Sequence, residues 1–157
     1  MFKDVEGSHS EYSEATVYRI HQGSQVFLKP QYQEYIEHLR KVVNIKEEIF
    51  EGLYIRLLHR YAQYVQSLSV PRDNLGGLLL DRSLRRAFGF ARYCAPKVIA
   101  NNGYGFDPDR LMYVLFTCAL LNGVGRAFQD RSIVTCEENG EYVKTYFPTT
   151  GFISGEY

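Results

Sequence analysis

A chain of 157 residues has the size of one domain with a substantial core. Its 45% hydrophobic content is too high for a disordered tail. Its formal net charge of +0, from 18 basic and 18 acidic residues, gives no electrostatic argument for a general nucleic-acid surface and leaves room only for a local basic patch.

The aromatic content of 15% comes from 13 Tyr and 10 Phe with no Trp, a stock that serves a core with hydrated edges or a partner-facing surface. Cys94, Cys118 and Cys136 are odd in number and far apart, so neither zinc spacing nor a disulfide framework is suggested. That usage fits a reducing compartment, and Cys118, inside an apolar run, reads as a small core residue. The polar N-terminus lacks the apolar segment of a signal peptide. The longest apolar run, Leu111–Leu121, has roughly half the length that a membrane span needs. The expectation is a cytoplasmic protein without a transmembrane segment.

In chain order, residues 1–29 are weakly patterned and read as a partly irregular arm, with Val26-Phe27-Leu28 as a short apolar anchor. Residues 30–157 read as the folded domain. Tyr32, Tyr35, Ile36, Leu39, Val42 and Val43 recur at helical spacing and predict a helix from about Gln31 to Val43, with Pro30 suited to its first turn. A second helix is predicted from about Ile45 to Leu68, with Ile49, Phe50, Leu53, Tyr54, Leu57, Leu58, Tyr61, Tyr64, Val65 and Leu68 on one broad apolar face. Gly52 inside it points to close packing against another helix.

A loop over Ser69–Asn74 leads to Gly76-Gly77 and a third helix, which Pro96 is expected to end near Ala95. Leu80, Leu84, Ala87, Phe88 and Ala91 share one face of it, with Arg82, Arg85, Arg86 and Arg92 mostly on others. After the turn-rich Asn101–Gly105, Asp107 caps a fourth helix, Pro108 takes its first position, and Asn122-Gly123 stop it. Ile133–Cys136 and Tyr142–Phe147 then have strand composition, and Asn139-Gly140 between them signals a hairpin. The fold class expected is mainly α with a small C-terminal β-hairpin.

Three stretches resemble one family. Gly76-Gly77-Leu78-Leu79-Leu80-Asp81-Arg82-Ser83-Leu84 is similar to a Gly-Gly-Leu-Leu motif that runs into a metal-ligand His. Leu120-Leu121-Asn122-Gly123-Val124-Gly125-Arg126 is similar to the helix end that carries the His-Asp pair of HD phosphohydrolases. The Asn139-Gly140 hairpin leading to Phe147-Pro148 is similar to an acidic-Gly turn followed by an aromatic residue and Pro. Together they resemble the TraI_2 domain of MobH-type conjugative relaxases, an HD-related helical bundle, over about residues 53–157.

The ligand positions depart from that family. Arg82 stands where the first His belongs, Asn122 and Gly123 replace the His-Asp pair, and Arg72-Asp73-Asn74 replaces a His-rich cluster. An HD site needs imidazole and carboxylate donors around a divalent ion that activates water. Gly123 has no side chain to donate and Arg82 adds a cation where a cation belonged. The resemblance therefore implies a pseudoenzyme with no catalytic residues, no metal and no cofactor. It also implies a protein-interaction or scaffold role among the subunits of a bacterial type IV secretion or conjugation coupling complex, cytoplasmic or peripheral to the inner membrane.

Under that reading Tyr12, Tyr18, Tyr104 and Tyr157 are candidate partner contacts. One alternative is a nucleic-acid-binding domain in which Arg72, Arg82, Arg85, Arg86 and Arg126 grip phosphate. The plainer reading of these arginines is helix-face charge paired with acidic residues elsewhere. A second alternative is a phosphohydrolase with a relocated metal site built from Asp73, Asp81 or Asp130. His9, His21, His38 and His59 lack ligand spacing and read as solvated or hydrogen-bonded side chains, His38 and His59 pointing away from the main apolar stripes.

Overall fold

Pro30 fixes the entry to the first long helix, because its locked φ suits the opening turn and its missing N–H has no partner to lose there. The computed structural model describes residues 21–66, 68, 78–100, 105, 107–127, 133–137 and 141–147. Its helices are α1 (Gly23–Val26), α2 (Pro30–Val43), α3 (Glu47–Phe50), α4 (Arg56–Val65), α5 (Leu78–Ala100) and α6 (Pro108–Leu121). A π-turn over Glu51–Ile55 joins α3 to α4, and a 3₁₀ turn over Val124–Ala127 follows α6. Strands β1 (Ile133–Cys136) and β2 (Tyr142–Tyr146) pair antiparallel, Ile133 opposite Tyr146 and Cys136 opposite Tyr142, with an irregularity between Thr135 and Cys136. The fold is mainly α with one hairpin. The tip of that hairpin, Asn139-Gly140, lies outside the described residues.

The apolar stripe of α2 buries Tyr32, Ile36 and Leu39. Asn44 ends the helix at φ 45°, a left-handed conformation that Asn tolerates better than most residues. Arg40 then clasps the corner. Its guanidinium pairs with Glu47 and with Glu51 at 3.2 Å, and lies 4.6 Å from the centroid of the Phe50 ring. The packed body starts before residue 30, where the sequence reading drew its boundary. Gly23 is buried on α4, and Val26 and Phe27 belong to the core, while Leu28 of the expected anchor is exposed.

The long second helix contains a change of winding that its hydrophobic period does not announce. The π-turn inserts a residue and rotates what precedes it relative to α4. As a result Ile49 and Leu53, expected on the buried face, are exposed, whereas Phe50, Tyr54, Leu58, Tyr61 and Val65 are buried. Gly52 does not mark a close helix contact: a Cβ there meets nothing within 4 Å. In α5 the expected stop at Pro96 is absent and the helix continues to Ala100. Pro96 is exposed, so the carbonyl that loses its amide partner is on the solvent side, where water can serve it.

Helix α5 packs against α2 and α6 through Leu80, Leu84, Ala87, Phe88 and Ala91, all buried as the shared face predicts. At its start the Tyr32 hydroxyl donates to Asp81 Oδ1 at 2.7 Å and ties α2 to α5. Burial, and then the hydrogen bond to and negative charge of Asp81, raise the Tyr32 pKa to about 12. The folded state therefore holds this proton more tightly than the unfolded chain. The resulting stability is complete below pH 10 and is lost as pH climbs from about 10 to about 12. We expect urea midpoints of the wild type to fall across that window, and Tyr32→Phe to flatten the fall. Parallel curves for the two proteins would refute this assignment.

Candidate functional site

The glycine that replaces a metal-ligand Asp in the resemblance stands where α6 ends. Asp107 opens α6 by accepting the amide of Asp109 at 3.0 Å, and Asn122 closes it, its amide bonded to the Cys118 carbonyl at 3.1 Å. Gly123 then turns the chain at φ 90°, where a side chain is strained. A Cβ on Gly123 would lie 3.4 Å from Nη1 of Arg86. Arg86, one turn beyond Arg82 on α5, thus meets Gly123. The last carbonyls of a helix carry partial negative charge, so a guanidinium at this end is favourable in its own right.

Behind Arg86 lies a polar thread into the core. Ser83 is fully buried, and its Oγ accepts the Tyr61 hydroxyl at 2.7 Å and faces Nη2 of Arg86 at 3.5 Å. Burial raises the Tyr61 pKa, against smaller opposing effects of the Ser83 hydrogen bond and the Arg86 charge. The phenol is thus a neutral donor, and a buried hydroxyl pair of this kind costs little only while both members are present. Tyr61, Ser83, Arg86 and Gly123 therefore join α4, α5 and the end of α6.

These residues do not fit a divalent ion. Gly123 offers no donor, a guanidinium lies against it, and Asn122 is exposed. Among the described residues no three His, Cys, Asp or Glu side chains converge on one point. Asp81 is held by Tyr32, and Asp73 and Asp130 lie outside the described residues. Of the histidines, His21 exchanges backbone hydrogen bonds with the Gln66 side chain and His38 is exposed on α2. His59, expected to face away from the apolar body, is half-buried with its ring 5.6 Å from that of Phe27. Burial lowers its pKa, with Glu51 acting in the opposite direction.

The expected arginine cluster is divided by the winding of α5. Arg82 and Arg86 are one turn apart on the side of the α6 end. Arg85 and Arg92 are two turns apart and roughly a quarter-turn around the helix, toward α2. Arg85, Arg86 and Arg92 have no carboxylate within 4.0 Å among the described residues, unlike Arg40. Among the described residues, then, ion pairing does not account for these three. Arg72 lies outside the described residues, as does the side chain of Arg126. Tyr12, Tyr18, Tyr104 and Tyr157 also lie outside them.

The surface that sequence reasoning missed is the outer side of α6. Leu111, Val114 and Leu121 are 36%, 54% and 46% exposed, and Cys118, read as a core residue, is exposed between them. Their spacing of three, four and three residues puts all four on one face. The opposite face buries Met112, Phe116, Ala119 and Leu120. The signal was present in the sequence. From Leu111 to Leu121 there is no charged residue, and a helix that is apolar all round has to be covered on both sides or display one of them. Among the described residues no helix is long and apolar enough to cross a membrane. Comparison with family models, curated proteins and solved structures finds no match for this chain.

Proposed function

We propose that the protein is a non-catalytic, HD-like interaction domain that docks other subunits through the outer face of α6. The observation that carries this reading is the uninterrupted apolar stripe Leu111, Val114, Cys118 and Leu121, exposed on a helix whose other face is already satisfied by the core. The loss of donors at Arg82, Asn122 and Gly123, with Arg86 set against Gly123, favours a scaffold over a phosphohydrolase. The resemblance to the TraI_2 domain of MobH relaxases suggests the setting: a bacterial type IV secretion or conjugation coupling complex, with the protein on its cytoplasmic side.

The test is Val114→Glu combined with Leu121→Glu. Both side chains are about half exposed, so folding stability should move by no more than about 0.5 kcal/mol. Recovery of coupling-complex subunits with the tagged protein from its native cell should fall about tenfold or more, as it does when central anchors of an interface are charged. Equal recovery with the wild type and the double variant would refute the α6 reading. Recovery of subunits from some other machine, lost in the variant, would keep the docking face and overturn the setting.

A further inference from the structure

Between α2 and α5 lies a cleft of about 200 Å³ whose rim is cationic and whose floor is apolar. Arg85 and Arg92 flank Gly89 on α5, His38 faces them from α2, and Leu39 and Phe88 lie beneath. Gly89 makes the notch. A Cβ there meets nothing within 4 Å, so neither packing nor a special backbone angle calls for glycine, a poor helix former in mid-helix. Neither arginine has a carboxylate partner among the described residues. Seven residues of helix separate them by about 10 Å along the axis. One wall is firm, because Tyr35 of α2 stacks on Phe88 of α5 at 4.9 Å and 13°.

We propose that this cleft binds an acidic peptide segment of a partner protein, one apolar side chain entering the notch over Gly89 and a carboxylate on either side of it pairing with Arg85 and Arg92. The volume is below the roughly 300–1,000 Å³ of small-molecule sites and is on the scale of a single anchoring side chain. Guanidinium groups match carboxylates in bidentate geometry, and recognition of acidic motifs by arginine clusters is a recurring form of peptide binding. A nucleic-acid strand fits less well. The chain has no net positive charge with which to hold an extended polyanion. The inference deepens the interaction reading by naming one partner's chemistry, and it uses a different surface from the α6 stripe.

The experiment is selection of a random 12-residue peptide library on the full chain, followed by fluorescence polarisation with the best labelled peptide and with a labelled 12-nucleotide oligothymidine. Enriched peptides should share an apolar residue with carboxylates on both sides. Their affinity should fall at least tenfold for R85E/R92E and likewise for Gly89→Leu, which fills the notch and keeps both charges. Circular dichroism of each variant should match the wild type. V114E/L121E should bind these peptides normally, so failure here and failure of the α6 reading are separable. No enrichment, peptides without acidic residues, or binding unchanged in R85E/R92E or in Gly89→Leu would overturn the proposal. Oligothymidine binding lost in R85E/R92E, without peptide binding, would reassign the cleft to nucleic acid.

Discussion

Replacing Phe116 by Ala is expected to lower the unfolding free energy by about 3–5 kcal/mol. Phe116 is fully buried on the inner face of α6, with its ring centroid 5.4 Å from that of Tyr54 and 6.0 Å from that of Phe88. Those two rings are held from behind, Tyr54 by Phe50 at 5.5 Å and Phe88 by Tyr35 at 4.9 Å. They are not free to close over the space that Ala would leave, so the cost should come from the upper part of the large-to-small range. A domain of this size has only about 5–15 kcal/mol in hand, and the variant should be barely folded at 37 °C. Urea titration at low temperature should show a lower midpoint with an unchanged slope. Phe116→Leu keeps most of the volume and should lose much less. A shift below about 1 kcal/mol for Phe116→Ala would mean that α6 does not depend on this contact.

The features legible in the sequence were those written in local chemistry. The stripe of α2 behind Pro30 and Asp107-Pro108 at the head of α6 combine periodicity or composition with a specific starting residue, and the inward face of α5 is carried by periodicity alone. What escaped was set by packing at a distance. The π-turn over Glu51–Ile55 keeps apolar residues at intervals that a regular helix would also show, so the pattern assigns Ile49 and Leu53 to the wrong side. Cys118 was misplaced because a helix apolar all round has no pattern from which to choose a face. The candidate site was half legible. The motif resemblance paired the start of α5 with the end of α6, but through Arg82. Which turn of α5 meets Gly123 depends on how two helices are shifted along their axes, and no local signal states that Arg86 is the residue that arrives. Ser83 could have been noticed as a polar residue at a position its apolar neighbours Leu80, Leu84 and Ala87 mark as core.

Gly23→Ala is expected to lift α1 from α4. Propensity alone points the other way, since Ala favours a helix over Gly by about 1 kcal/mol. Space decides the sign. A Cβ at Gly23 would lie 1.9 Å from the carbonyl oxygen of His59 and 2.6 Å from its carbonyl carbon, both backbone atoms within α4 that no rotamer change can move. If the backbone absorbs the clash in place, the cost is about 1–3 kcal/mol. If α1 instead detaches, Val26 and Phe27 leave the core, and burying side chains of these types contributes about 1.5–3 kcal/mol each. We expect detachment, because four residues of helix held by two apolar side chains are easier to release than α4 is to bend. Three readings should then move together. Amides from Val26 to Lys29 should lose hydrogen-exchange protection, while those of α5 and α6 keep theirs. The urea slope should fall, as less surface remains to be exposed. The His59 pKa, held down by burial, should return toward its ordinary value when the Phe27 ring departs. Ser24→Ala, an exposed change at the next residue, should leave all three as they are. Protection and His59 titration unchanged in Gly23→Ala would show that α1 is not seated on α4 through this glycine, and that Phe27 reaches the core by some other support.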